Sequence, residues 1–174
     1  LHLWQRLIDA GQEFGITPYG TETMHVLRAE KGFVIVGQDT DGSVSPVDLG
    51  MSWLLAKDKD FLGRRSLARP DTARPDRKQW VGLLSEDGTS VVPEGAQLTN
   101  GPSNGATAPV PMCGHVTSSY HSAVLDHPIA LGLVEGGRSR HGATLLAVGS
   151  NGREIPVRIA SPVFYDPEGE RQRD

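Results

Sequence analysis

Residues 20–67 read GTETMHVLRAEKGFVIVGQDTDGSVSPVDLGMSWLLAKDKDFLGRRSL, and the fold turns on how they are parsed. The first part, 21–31, predicts a short helix. Gly32 stands where a helix C-terminus needs a residue at positive φ. Phe33, Val34, Ile35 and Val36 are apolar, mostly β-branched and bounded by Gly32 and Gly37, so they predict a strand. A polar turn over 38–43 follows, and Pro46 stops any helix from running through it. The order is helix, strand, long loop, apolar segment and a second helix start at Phe61-Leu62-Gly63. That order alone names no function.

Upstream, Trp4, Leu7, Ile8 and Phe14 fall at helical spacing, and Gly15 ends the segment. It begins without a cap or an initiator methionine, which reads as a stretch cut from a longer polypeptide. Residues 15–20 (GITPYG) form a turn-rich connection. Downstream, 68–78 (ARPDTARPDRK) repeats Arg-Pro-Asp, lacks large apolar residues and reads as an exposed linker. The expected division is 1–68, a linker over 69–78, and 79–174. Beyond the linker, short apolar groups alternate with Gly, Pro, Asn and Ser clusters, the pattern of a sandwich or barrel. Strands are expected over 79–84, 91–99, 114–117, 129–134, 144–148 and 154–159. Residues 100–109 read as a low-complexity loop, and Asn151-Gly152 as a hairpin turn. No helix of ordinary length fits after 78. The fold class is α+β, helices with a short sheet followed by a small all-β barrel.

Composition excludes several function classes. The chain has 174 residues, 37 % hydrophobic and 22 % charged, with a formal net charge of -4. Eleven basic and eleven acidic residues precede Gln79, and six and ten follow, so there is no basic face for nucleic acid. No apolar run reaches the roughly 20 residues of a membrane span. The lone Cys113 excludes an internal disulfide and fits a reducing cytoplasm. The six histidines show no compact zinc spacing. Asp39, Asp41 and Gly42 faintly resemble a calcium loop, but Gly50 stands where its glutamate belongs, so a turn is expected. Neither a Gly-x-Ser-x-Gly elbow nor a dinucleotide glycine motif occurs.

The motifs carry a resemblance. Leu27-Arg28-Ala29-Glu30-Lys31-Gly32, Gly37-Gln38-Asp39, Pro46 and Phe61-Leu62-Gly63 resemble the folate-binding aminomethyltransferase family founded on the T-protein of the glycine cleavage system. Gly114-His115-Val116-Thr117-Ser118, Ile129-Ala130-Leu131-Gly132, Arg140-His141-Gly142 and Pro162-Val163-Phe164-Tyr165-Asp166 resemble that family's C-terminal barrel, with His141 in place of a proline. The stretch HVLRAEKGFVIVGQDTDG is similar to the C-terminal part of the sarcosine oxidase α-subunit branch. The resemblance implies tetrahydrofolate in this region, with FAD, FMN and NAD elsewhere in a heterotetramer with β, γ and δ subunits. It implies that one-carbon units from oxidised sarcosine are captured as methylenetetrahydrofolate. The alternatives are a glycine cleavage-type aminomethyltransferase, a dimethylglycine oxidase, or a non-catalytic folate-binding or assembly module.

For the site, the resemblance points to four residues. Arg140 takes the place of an arginine beside the folate, where a guanidinium can fork onto a carboxylate of its glutamate tail. Tyr120 lies on a loop against the cleft, where a ring can stack. Arg28 and Glu30, two apart on a helix, are expected on different faces, one toward the folate cleft and otherwise in structural ion pairs. Trp4, Trp53 and Trp80 are expected in the core. Met24 replaces a transferase arginine that helps hold folate. Catalytic residues are expected upstream of residue 1, and no metal is expected.

Overall fold

The computed structural model describes residues 1–102 and 110–173. Two helices, α1 (His2–Gly11) and α2 (Thr21–Glu30), precede six strands: β1 (Lys78–Ser85), β2 (Gln97–Thr99), β3 (Gly114–Ser122), β4 (His127–Glu135), β5 (Thr144–Val148) and β6 (Glu154–Ala160). All strand pairs are antiparallel, and the order β1-β4-β3-β2-β5-β6 closes through β1 and β6 into a barrel. Closure leaves no free edge to template aggregation.

The barrel interior is filled by Val81, Leu83, Leu98, Val116, Val134, Leu145, Val157 and Ile159. Strand β6 alternates cleanly, with Ile155, Val157 and Ile159 buried and Pro156 and Arg158 exposed. Strands β1 and β4 instead read as continuous buried runs, because their outer face is covered as well. Trp80, Ile129, Leu131 and Leu133 pack there against Ala29 of α2, Val34, Val44 and Leu49. A second core thus joins the end of α2 and residues 34–49 to the barrel wall.

Several expectations hold. Helix α2 ends as foreseen, with Gly32 at φ +72; a Cβ there would also meet the Pro162 carbonyl at 2.5 Å. The hairpin between β5 and β6 turns at Gly152, φ +75. After residue 78 the described residues hold only short 3-10 turns, Gly137–Arg140 and Glu170–Gln172.

Other elements differ. Residues 33–36 form no strand. The Ile35 N–H donates to the Asp39 carboxylate at 2.9 Å, and the Ile35 carbonyl accepts from Gln38 and Asp39. Its backbone groups are spent in a turn, so the β-branched run has no ladder to join. Only 97–99 of the expected 91–99 strand is extended; Pro93 and Gly95, φ +76, break the earlier part. Strand β3 runs five residues past the expected end, through Ser118–Ser122, where the Ser118 and Ser122 hydroxyls find partners outside the barrel. The helix start at Phe61 becomes a 3-10 turn, Arg64–Ala68, opened by Gly63 at φ +93. Of the Trp expectations, only Trp80 is in the core; Trp4 and Trp53 are exposed. Residues 103–109 of the low-complexity loop lie outside the described residues.

Candidate functional site

Helix α2 carries Arg28, Glu30 and Lys31 to the outer wall of β3 and to the C-terminal segment. The Arg28 guanidinium, 8 % exposed, donates through Nη1 to Asp39 Oδ2 at 2.6 Å and to the Phe33 carbonyl at 3.2 Å. Its Nη2 donates to Ser118 Oγ at 2.6 Å. Asp39 is fully buried, and its second oxygen accepts from Thr117 Oγ1 at 2.6 Å and Ser118 Oγ at 2.7 Å. Neighbouring strand residues normally face opposite sides. Here a bulge between Val116 and Ser118 inserts Thr117 and lets both hydroxyls reach one carboxylate. Tyr120 lies under Arg28, whose guanidinium sits 5.9 Å from the ring centroid.

Glu30 is also buried, and its carboxylate accepts from Ser122 Oγ at 2.5 Å. Its backbone carbonyl accepts the N–H groups of Phe164 and Tyr165, at 2.9 and 3.0 Å. Lys31 Nζ donates to the Asp166 carboxylate at 3.0 Å and to its backbone carbonyl. The Lys31 ammonium and the Glu170 N–H hold the Asp166 carboxyl below its ordinary value. These contacts strap residues 161–171 across the end of α2. Between helix and strap lies an open groove of about 410 Å³. Tyr19, Met24, Leu27, Phe33, Val124 and Tyr165 give it mostly apolar walls, and the Arg171 guanidinium lies over Tyr165, 5.6 Å from its centroid.

A second lock fixes the loop around Pro46. Asp48 accepts from Arg77 Nε at 3.0 Å and Nη2 at 2.9 Å, and from the Ser45 N–H and hydroxyl at 2.9 and 2.8 Å. Its backbone carbonyl accepts from Trp80 N–H and Arg138 Nη1. Burial opposes ionisation of Asp48, but the Arg77 fork and the Ser45 donors outweigh it and keep the carboxyl below its usual range. Burial pushes the half-buried His115 below the ordinary imidazole range; Lys78 adds to this and Asp41 opposes it. Asp41 itself caps a turn, accepting from the Ser43 N–H and hydroxyl, as its spacing foretold. No group of His, Cys, Asp and Glu suited to a metal occurs among the described residues.

Three of the four named residues therefore gather. Arg28 and Glu30 do not part to different faces; both reach β3, at Ser118 and Ser122. Tyr120 joins them on that strand rather than on a loop. Arg140 stands apart, on the turn after β4, donating to Asn100 Oδ1 at 2.6 Å and to the Glu135 carbonyl. β3 and β4 run antiparallel with Ser122 opposite His127 and Gly114 opposite Val134, so Arg140 is about 25 Å along the wall from Glu30. Sequence reading missed Asp39 as the lock's acceptor, and it missed Lys31, Tyr19, Phe33 and Tyr165 as groove walls. The Gly37-Gln38-Asp39 motif was the available signal for Asp39.

The groove is open and mostly apolar. Its size lies in the usual ligand range, and its rings suit a flat aromatic body. It offers few free polar groups to read a ring edge, since Arg28, Glu30 and Lys31 are engaged with protein partners.

Comparison with known proteins agrees with this architecture. Residues 1–59 match the family model described as the GCVT N-terminal domain, and 78–166 match the glycine cleavage T-protein C-terminal barrel domain. The chain is 50 % identical over 172 residues to sarcosine oxidase subunit alpha of Corynebacterium sp. strain P-1, covering 99 % of this chain and 18 % of the relative. The same subunit of Rhizobium meliloti is 40 % identical over 168 residues, covering 95 % and 17 %. An aminomethyltransferase of Saccharopolyspora erythraea is 32 % identical over 165 residues, covering 94 % and 42 %. The crystal structure of glycine cleavage system aminomethyltransferase T from Bartonella henselae superposes with a TM-score of 0.75 at 22 % identity, covering 95 % of this chain and 44 % of that one, a likeness of fold. The chain spans less than a fifth of the length of the sarcosine oxidase subunits it matches. None of its described helices is long and apolar enough to cross a membrane.

Proposed function

This chain belongs to the glycine cleavage T-protein family, and from that premise we propose that it is the C-terminal part of the folate-binding region of a sarcosine oxidase α subunit. The observation that carries this reading is the 50 % identity over 99 % of the chain to such a subunit. The organisation proposed is an end piece of the folate domain over 1–68, a linker over 69–78 and the barrel over 79–174. The whole assembly would hold FAD, FMN and NAD on other parts, with β, γ and δ subunits as partners, in the cytoplasm.

Tetrahydrofolate, when bound, supplies the nitrogen nucleophile that takes up the one-carbon unit of oxidised sarcosine. The residues of this chain bind and exclude water rather than move protons. Leu27, Phe33, Tyr19 and Tyr165 would form an apolar wall against the ring body, and Arg171 would face its anionic end. The Arg28–Asp39 lock and the Lys31–Asp166 strap fix the two sides of that wall, so its shape exists before a ligand arrives.

The test is product analysis in the assembled oxidase. An imine that is not captured hydrolyses to formaldehyde. Phe33→Asp is expected to leave sarcosine consumption intact while shifting product from methylenetetrahydrofolate to free formaldehyde. An unchanged product ratio would count against the groove. Failure of the wild-type assembly to consume sarcosine would refute the oxidase reading.

A further inference from the structure

Asp166 turns the strap with a left-handed backbone, φ +47. The other non-glycine residue at positive φ among those described is Asp126, in the turn between β3 and β4. Aspartate tolerates this region when its carboxylate bonds locally, and such a conformation away from a hairpin points to a task. Here Oδ1 accepts the Glu170 N–H at 2.9 Å, and Oδ2 accepts Lys31 Nζ at 3.0 Å. The Asp166 carbonyl accepts the Gly169 N–H and a further bond from Lys31 Nζ. One residue thus folds the 3-10 turn Glu170–Gln172 back toward the end of α2.

That turn carries Arg171 to the groove. The cations lining the groove are Arg28, Lys31 and Arg171. Arg28 is spent on Asp39 and Ser118, and Lys31 on Asp166. Among the described residues the Arg171 guanidinium has no carboxylate or hydrogen-bond acceptor, only the Tyr165 ring, 5.6 Å from its centroid. The Tyr165 N–H is fixed by the Glu30 carbonyl at 3.0 Å, so the ring under the guanidinium is itself tied to α2. Helix, strap and free cation all belong to this chain. The match to the barrel family ends at residue 166, so the turn and Arg171 stand beyond that family's pattern.

We propose that Arg171 makes the groove select ligands bearing a carboxylate tail, and that Asp166 is the positioning residue that sets Arg171 there. A guanidinium presents a planar fork of donors that matches a carboxylate, and along an apolar wall little else competes for it. Asp166 acts at one remove, through Glu170 and Lys31, and does not touch the ligand. This selectivity rests on the proposed folate reading, since the glutamate tail of tetrahydrofolate supplies such carboxylates.

The test is titration calorimetry on the full α subunit, with tetrahydrofolate and with the same compound carrying amides in place of its tail carboxylates. The wild type is expected to prefer the acid by at least roughly tenfold, the worth of one charge-assisted bond. Arg171→Gln should bring that ratio close to one by weakening the acid. Arg171→Lys, which keeps the charge without the fork, should restore part of it. Asp166→Gly leaves the left-handed backbone available and removes only the carboxylate. It should lower the ratio at least about threefold and speed hydrogen exchange at the Glu170 amide, which Arg171→Gln should leave protected. A wild type indifferent to amidation, or a ratio unchanged in Arg171→Gln, overturns the selectivity while leaving the folate reading in place. Equal loss of acid and amide in Arg171→Gln overturns it too, as the mark of a structural role. A wild-type ratio in Asp166→Gly overturns the positioning role. If the wild type binds neither compound, the folate reading falls and takes this selectivity with it.

Discussion

Replacing Asp39 is the sharpest perturbation of the joint between α2 and the barrel. The fully buried carboxylate accepts four bonds, from Arg28, the Ile35 N–H, Thr117 and Ser118. Asp39→Asn keeps the shape and removes the charge, stranding a buried guanidinium. Breaking a buried pair on one side costs about 3–5 kcal/mol. Asp39→Ala also strips partners from three further donors, at about 1–3 kcal/mol for each left unsatisfied. Thr117 retains the Leu131 carbonyl at 3.2 Å, which limits that part. The ceiling is the free energy of docking itself, since residues 21–50 can peel away while the closed barrel stays paired. Native-state hydrogen exchange is the assay. The Ile35 and α2 amides should lose about two to three and a half decades of protection in Asp39→Asn, the 3–5 kcal/mol restated as an opening constant. The Leu83 and Leu131 amides in the barrel ladder should change little. The double variant Arg28→Met, Asp39→Leu should recover much of the loss, because no charge is left buried. A uniform loss across helix and barrel, or a double variant as damaged as both singles together, would refute the lock.

Further outcomes follow from the same contacts. Gly82→Ala puts a Cβ 2.1 Å from the Ser161 carbonyl and 2.8 Å from Phe164 Cζ, so it should push the strap outward and cost at least about 1–3 kcal/mol in urea unfolding; a neutral result would contradict the packing. Ser122→Ala removes the hydroxyl that serves the buried Glu30 and should cost about 1–3 kcal/mol in the same assay, whereas Ser150→Ala, on the exposed hairpin, should cost almost nothing. Stability should fall in two stages on acidification. His115 takes up its proton less readily folded than unfolded, so stability drops below about its ordinary 6.5, and His115→Gln should flatten that limb. Asp48 is held ionised when folded, so its contribution is present above its ordinary 3.8 and is lost as pH falls through the lower folded value; Asp48→Asn should abolish that dependence.

The barrel was legible because its strands announce themselves in short apolar groups cut by Gly and Pro, and Asn151-Gly152 has one economical turn geometry. The helical part was legible only to the end of α2. Residues 33–36 read as a strand because Val and Ile favour pleated, half-buried surroundings, yet a strand needs a neighbour, and here Asp39 claims the backbone instead. Strand β3 was cut short for the converse reason. The stretch from Ser118 to Ser122 looks like a loop, but the Ser118 and Ser122 hydroxyls are spent on Arg28, Asp39 and Glu30, none of which is near in sequence. Arg28, Glu30 and Tyr120 could be named from motifs, whereas their convergence depended on a bulge at Thr117 that local pattern does not encode. Arg140 was named by the same route, and the barrel's register carries it to the far end of the wall.

The proposed function stands or falls on ligand binding by the intact subunit. Titration calorimetry of the full α subunit with tetrahydrofolate should give saturable binding that Phe33→Asp weakens at least about tenfold, the loss of one aromatic wall at about 1.4 kcal/mol or more. No detectable heat with the wild type, or binding indifferent to Phe33, would contradict it.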